Sequence, residues 1–170
     1  KTLIFAEEQG EEEYNEEDLK RCKANVVYLE NKEDFNDKFI NEKVREFKPH
    51  VIFIEANEMW DYDSIQNPSY FDVQQVMTII DGSTFSAYFN NMRQKFNDMI
   101  KASDIVIINR CKPTPETSGF KRSVKLINQA CAVLALDENG KELKLEGDLP
   151  YSLKDDVINI SLEDFGIFYI

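Results

Sequence analysis

Residues 76–111 read VMTIIDGSTFSAYFNNMRQKFNDMIKASDIVIINRC, and the pattern of this stretch indicates the fold class of the chain. It opens and closes with short apolar runs rich in Val and Ile, at residues 76–81 and 105–109. Short continuous runs of this kind are typical of strands buried on both faces of a parallel sheet. Residues 83–102, between the two runs, carry apolar side chains at helical spacing, namely Phe85, Phe89, Met92, Phe96, Met99 and Ile100. The stretch therefore predicts a strand, a crossover helix and a second parallel strand.

The same alternation continues in both directions along the chain. Further apolar runs predict strands at residues 2–6, 25–29, 51–55, 132–136, 157–160 and 166–170. Helical spacing predicts helices at residues 33–47 and 120–130, and turns are expected at 137–141 and 147–150. We expect an α/β fold of three layers, with a mostly parallel sheet and flanking helices. Residues 1–170 are predicted to form a single nucleotide-binding-type domain, part of a longer chain because the sequence ends on an apolar run.

Composition narrows the choice of partners. The 170 residues carry a formal net charge of −12, which repels the phosphates of nucleic acids and anionic membrane surfaces. No apolar run approaches the roughly 20 residues that a membrane-spanning helix needs. The three cysteines are scattered and His50 is the only histidine, so we expect a reducing cytoplasm and no zinc site. The sequence predicts neither a nucleic acid nor a membrane as a partner.

Polar side chains follow several of the predicted strands. Since ligands of open α/β sheets bind at the carboxyl ends of the strands, these side chains are candidates for a magnesium–nucleotide site. The positions are Glu7, Glu8, Glu55, Asn57, Asp81, Asn109 and Arg110. Each one taken singly also fits an ordinary polar strand end.

Three segments together resemble a known family. KTLIFAEEQGEEEY at residues 1–14, VIFIEANEMWD at 51–61 and the 76–111 stretch are similar to the nucleotide-binding domain of the CobW, HypB and UreG GTPases. The likeness is greatest to the CobW-like branch and extends to residue 170. It implies a P-loop NTPase-like fold, GTP and Mg²⁺ as ligands, and a link to metal or cofactor delivery, with a client metalloprotein or another protein as partner.

The resemblance also assigns roles to individual residues. It implies that Glu8, Glu55 and Asp81 lie near the metal ion. The family's base-recognition motif, Asn-Lys-x-Asp, corresponds to residues 109–112, which makes Asn109, Arg110 and Lys112 the implied nucleotide-binding residues. Lys112 stands where the family has an Asp that accepts two N–H bonds from guanine, and an ammonium group offers donors only. The resemblance therefore leaves the identity of the base open.

The sequence contains no GxxxxGK[ST] loop, whose N–H groups and Lys hold the phosphates in this family. We expect the first strand and this loop to be absent from the chain, either lost or located before Lys1. GTP hydrolysis then requires the loop to be supplied upstream, and no catalytic residue is assigned. An alternative is a non-catalytic binding module of the same fold that acts through protein partners. A third interpretation is a metal chaperone that uses carboxylates alone.

Overall fold

The computed structural model describes four stretches of the chain, namely residues 1–6, 14–56, 71–144 and, for the backbone alone, 166–169. The fold divides into two compact units. The first comprises residues 1–74 and 160–170, and the second comprises residues 75–159. The expectation of a single domain stays a prediction.

The described residues form strands and helices in alternation. The strands are β1 (Thr2–Ala6), β2 (Ala24–Tyr28), β3 (Val51–Glu55), β4 (Val73–Asp81), β5 (Ile105–Asn109), β6 (Ala132–Ala135) and β7 (Gly166–Tyr169). The helices are α1 (Glu16–Cys22), α2 (Asp37–Phe47), α3 (Phe85–Asn91), α4 (Arg93–Ala102) and α5 (Pro115–Ile127), with a short 3₁₀ turn at Lys32–Asp34. None of these helices has both the length and the apolar character needed to cross a membrane.

The first unit contains a parallel sheet in the order β2-β1-β3-β7. In the register of the sheet, Ala6 at the end of β1 lies beside Glu55 at the end of β3, and beside Tyr28 on its other side. The side chains of Leu3, Phe5 and Ile54 are fully buried. The carboxyl ends of these strands therefore share one edge of the sheet, as parallel pairing requires.

The second unit contains a parallel sheet in the order β4-β5-β6. Its core joins strand residues such as Val106 and Ile108 to Phe96, Ile100 and Val124 of the helices. Both units thus have parallel strands with flanking helices. The predicted α/β class is confirmed.

All three predicted helices differ from the observed ones. The helix expected at residues 33–47 begins at Asp37 because the side chain of Asn36 accepts a hydrogen bond from the N–H of Phe39 at 3.1 Å and so caps it. Phe35 precedes the helix and packs edge-on against Phe5, with ring centroids 5.5 Å apart. The helix expected at 83–102 is two helices, because the backbone leaves helical geometry at Met92 (φ −123°, ψ 38°).

Helix α5 is displaced from its predicted position at residues 120–130. It begins earlier, at Pro115, whose fixed φ and missing N–H suit the first turn of a helix. It ends at Ile127 because Asn128 turns its side chain to the neighbouring backbone. The Asn128 amide nitrogen donates to the carbonyls of Ile100 at 3.0 Å and Ser103 at 2.9 Å.

Candidate functional site

The structure brings three of the predicted site residues together at the carboxyl ends of β4 and β5. Asp81 and Asn109 are direct partners in the register of the two strands. Arg110 follows Asn109, and its guanidinium Nη1 lies 2.9 Å from Oδ2 of Asp81. The sequence predicted a polar strand edge here, and these three side chains form it.

The Asp81 carboxylate accepts hydrogen bonds at both oxygens. Its Oδ1 accepts from the Ser83 hydroxyl at 2.6 Å and from the Ser83 N–H at 2.8 Å, while Oδ2 accepts from Arg110. The Ser83 hydroxyl is the main cause that lowers the pKa of Asp81 below its ordinary value, and Arg110 adds to it against the opposing effect of burial. Asp81 is therefore ionised across the physiological pH range.

Arg110 has an unusual backbone conformation. Its φ is +53°, in the left-handed region, yet it follows a strand, whereas Lys23 and Lys48 adopt the same region at helix C-caps. The N–H of Arg110 donates to Oδ1 of Asn109 at 2.9 Å. Conformations of this kind cost about 1 kcal/mol or more and are found at sites where the surroundings impose them. Here Asn109 and Asp81 hold the backbone and the side chain of Arg110, respectively.

Lys112 lies two residues further along the same loop. Its carbonyl oxygen accepts a hydrogen bond from the Thr117 hydroxyl at 2.6 Å and from the N–H of Thr114 at 2.8 Å. These contacts tie the loop to the first turn of α5. The side chain of Lys112 is exposed. The loop therefore has a fixed backbone and presents a lysine to solvent.

Glu55 ends β3 in the first unit, and its environment differs from that of Asp81. The Tyr14 hydroxyl donates to Oε2 of Glu55 at 2.6 Å. Partial burial raises the pKa of Tyr14 above its ordinary value, and the hydrogen bond to Glu55 and its negative charge raise this pKa further. Tyr14 therefore stays protonated and keeps donating at physiological pH. Glu8 lies outside the described residues, as do Glu7 and Asn57.

Glu55 and Asp81, the two predicted metal-binding residues that the structure describes, differ in how well they suit a magnesium ion. Mg²⁺ is usually bound through one or two carboxylates together with water and substrate phosphates. Glu55 suits this role because the hydrogen bond from Tyr14 brings no positive charge. Asp81 holds a guanidinium, so direct binding of a cation there requires Arg110 to move away. Within the described part of the chain, no cluster of three or more His, Cys, Asp or Glu side chains is placed to hold a metal.

Two contacts at these strand ends were not predicted from the sequence. The contact between Asp81 and Ser83 was detectable from the sequence. An Asp side chain commonly accepts a hydrogen bond from the backbone N–H two residues further along a turn. Tyr14 had no such signal, since it lies 41 positions from Glu55 in the sequence. The metal-binding assignments of Glu55 and Asp81 and the nucleotide-binding assignments of Asn109, Arg110 and Lys112 stay predictions.

Comparison with known proteins gives one finding. The family model described as CobW/HypB/UreG, nucleotide-binding domain, matches residues 4–135, which is more than half of the chain. No curated protein and no solved structure matches the chain significantly. The matched region runs from β1 into β6 and includes Glu55, Asp81 and the 109–112 loop. The chain therefore belongs to the CobW/HypB/UreG family, and its residues 4–135 correspond to the family's nucleotide-binding domain.

Proposed function

We propose that the protein containing this chain binds GTP with Mg²⁺ and hydrolyses it in support of metal or cofactor delivery. The observation that carries the proposal is the family match over residues 4–135. The geometry of the second unit supports it, because Asp81, Asn109 and Arg110 meet at the carboxyl ends of neighbouring parallel strands. This is the edge where α/β domains bind their ligands.

The chemistry of such a site is positioning and charge stabilisation. A bound Mg²⁺ ion would supply positive charge that neutralises the charge developing on the phosphates. Glu55 is the described residue best suited to hold that ion. Asp81 holds the Arg110 side chain at the strand edge. In this proposal Arg110 contacts a bound nucleotide while it stays paired with Asp81. In this proposal Asn109 binds the base, and its amide oxygen accepts a hydrogen bond from the N–H of Arg110 at 2.9 Å.

Direct binding tests the proposal. A fluorescent GTP analogue is titrated into the full natural protein with Mg²⁺, and again with EDTA. We expect saturable binding that requires Mg²⁺ and weakens about tenfold or more in Asn109→Ala, since a lost hydrogen bond costs about 1–3 kcal/mol when its partner stays buried. Asn139→Ala is the matched control, because Asn139 is an exposed turn residue of the same unit. Absence of GTP binding by the wild-type protein would contradict the proposal.

The preference for guanine rests on the residue at position 112. A carboxylate there accepts two N–H bonds from guanine, and the exposed ammonium of Lys112 does not. We expect Lys112→Asp to raise the preference for GTP over ATP about tenfold or more, since hydrogen bonds to a charged group contribute about 1.5–3 kcal/mol. Lys112→Ala removes the positive charge without adding a hydrogen-bond acceptor. Its preference for GTP over ATP should therefore be lower than that of Lys112→Asp. Equal preference in the two variants would place the base elsewhere.

Two observations favour a second candidate, a non-catalytic binding module that acts through a protein partner. Arg110 occupies the Asp81 carboxylate, and Lys112 cannot accept hydrogen bonds from guanine. A full natural protein that binds neither GTP nor ATP with Mg²⁺, while keeping its folded structure, would favour this candidate.

A delivery role implies a client metalloprotein and a cytoplasmic location. The three free thiols, of Cys22, Cys111 and Cys131, support a reducing compartment. Affinity capture from metal-limited cells, with the GTP-bound and GTP-free protein compared, tests this part of the proposal. Capture of a metalloprotein only in one nucleotide state is the expected result.

A further inference from the structure

We propose that Tyr14 is a positioning residue that holds the Glu55 carboxylate in place for a divalent cation. This inference rests on the proposed function, because Mg²⁺ is the cation that accompanies a bound nucleotide. It deepens that proposal by adding a residue from outside the strand edge. Tyr14 lies 41 positions before Glu55 and touches it through one hydrogen bond.

The hydrogen bond has the geometry of a strong, charge-assisted contact. The Tyr14 hydroxyl oxygen lies 2.6 Å from Oε2 of Glu55. Hydroxyl donors to ionised carboxylates have this short spacing and are about twice as strong as neutral pairs. The bond fixes the rotation of the carboxylate at the tip of β3. A glutamate at a strand end otherwise rotates freely about three side-chain bonds.

Hydrogen bonds of Asn15 fix the backbone next to Tyr14, which limits the positions that the Tyr14 hydroxyl can occupy. Asn15 caps α1, and its Oδ1 accepts hydrogen bonds from the N–H groups of Glu17 at 2.9 Å and Asp18 at 3.2 Å. Its carbonyl oxygen also accepts the first helical bond, from the N–H of Leu19. Tyr14 therefore connects the start of α1 to the end of β3.

The charge of the donor explains why this contact suits a cation site. A phenol hydroxyl is neutral, so it brings no positive charge to Glu55, and one hydroxyl uses one of about four lone-pair positions of a carboxylate. Asp81 shows the opposite arrangement, because the Arg110 guanidinium compensates its charge at 2.9 Å. Hydrogen-bond donors behind metal-binding carboxylates orient them in this way, and their loss typically weakens metal binding about 10–100-fold.

The test is a Mn²⁺ titration of the full natural protein, with free Mn²⁺ measured by electron paramagnetic resonance, with GTP and without it. We expect Glu55→Gln to remove a wild-type Mn²⁺ site, and Tyr14→Phe to raise its Kd about tenfold or more. Tyr88→Phe is the matched control: it loses the same hydroxyl, but from helix α3 of the second unit. Its Mn²⁺ affinity should equal that of the wild type. Thermal unfolding midpoints of all variants are measured alongside.

Three results would overturn the inference. They are a wild-type affinity in Tyr14→Phe, an equal loss in Tyr88→Phe, and the absence of any Mn²⁺ site that depends on Glu55. Binding of a fluorescent GTP analogue by the wild type is scored separately. If the variants show the expected Mn²⁺ affinities but the wild type does not bind GTP, the proposed function is contradicted and the role of Tyr14 is not. GTP binding together with an unaffected Tyr14→Phe variant contradicts only the inference.

Discussion

Gly82 shows how closely the residues at the end of β4 are packed. Its N–H donates to the carbonyl of Asn109 at 2.8 Å, which draws the two strand ends together. A Cβ atom at this position would lie 2.9 Å from that carbonyl oxygen and 2.8 Å from Sγ of Cys111. The carbonyl belongs to the backbone and cannot rotate away as a side chain can. A glycine is therefore required here by the approach of the neighbouring strand.

We expect Gly82→Ala to lower the free energy of unfolding by about 1–3 kcal/mol, the usual cost of forcing extra atoms into a packed site. Gly119→Ala is the control, because no atom lies within 4 Å of a Cβ built at this position in α5, apart from its chain neighbours and the backbone of its own helix. It should leave stability unchanged or raise it by about 0.5–1 kcal/mol through helix propensity. Urea unfolding of both variants gives the comparison. A Gly82→Ala variant as stable as Gly119→Ala would contradict the described packing.

Asp81 makes stability depend on pH. Ser83 and Arg110 lower its pKa in the folded state below the ordinary value of 3.8, so the ionised form stabilises the fold. This contribution is fully present above the unfolded pKa and is lost as pH falls through the folded pKa. We expect wild type to be more stable than Asp81→Asn at neutral pH, with the difference shrinking as pH falls below about 4. Denaturant unfolding at a series of pH values measures this difference, and a difference that is constant with pH would contradict the lowered pKa of Asp81.

The sequence predicted which residues stand at the strand edge, but not the contacts that they make with one another. Asp81 and Asn109 were placed together because parallel strands end at the same edge, which depends only on the apolar pattern. The turn of Arg110 onto Asp81 depends on a left-handed backbone conformation, and a bulky residue rarely adopts one. The Tyr14–Glu55 contact joins distant segments, so no local pattern encodes it.

Among the elements, strands were predicted more accurately than helices. Thr2–Ala6, Val51–Glu55 and Ile105–Asn109 have the expected bounds, because a buried strand is a continuous apolar run with polar residues on both sides. The helices shifted where a side chain competes for backbone groups. Asn36 starts α2 and Asn128 ends α5, and apolar spacing alone contains neither signal.

The cap of α2 gives a test at this scale. Asn36 accepts from the N–H of Phe39 at 3.1 Å and donates to the carbonyl of Glu33 at 2.9 Å. We expect Asn36→Ala to lower the free energy of unfolding by about 1–2 kcal/mol, the upper part of the range for a lost cap. Glu42→Ala, at an exposed position of the same helix, should change it by less than about 0.5 kcal/mol. Equal effects of the two substitutions in thermal unfolding would exclude a role for the cap.

At the scale of the whole molecule, the α/β class was predictable and the division into two units was not. The fold class follows from the alternation of apolar runs with segments whose apolar residues have helical spacing. This alternation extends along most of the sequence. The first unit joins residues 1–74 to residues 160–170, which are far apart in the chain. Contacts within a unit between such distant segments leave no local signal in the sequence. The sequence has no linker at residue 75 to mark a boundary.

Net charge determines how the whole chain responds to salt. With 32 acidic and 20 basic residues, the folded chain carries a net charge of −12 and repels itself. Salt shortens the range of this repulsion, from about 30 Å at 0.01 M to about 10 Å at 0.1 M. The described ion pairs on helix surfaces, such as Lys20–Glu16 with both side chains at least 76% exposed, weaken too. Pairs of this kind contribute only about 0–1 kcal/mol, so the relief of repulsion should dominate.

We therefore expect the thermal midpoint of the 170-residue chain to rise between 0.01 and 0.1 M salt. A gain of about 1 kcal/mol corresponds to about 2–4 °C for a chain of this size. Scanning calorimetry in NaCl and in KCl measures the shift, and equal shifts in the two salts identify screening rather than the binding of one cation. A midpoint that falls with salt would show that attractive pairs outweigh the repulsion. The excess of acidic residues would then be arranged so that most carboxylates lie beside a basic partner.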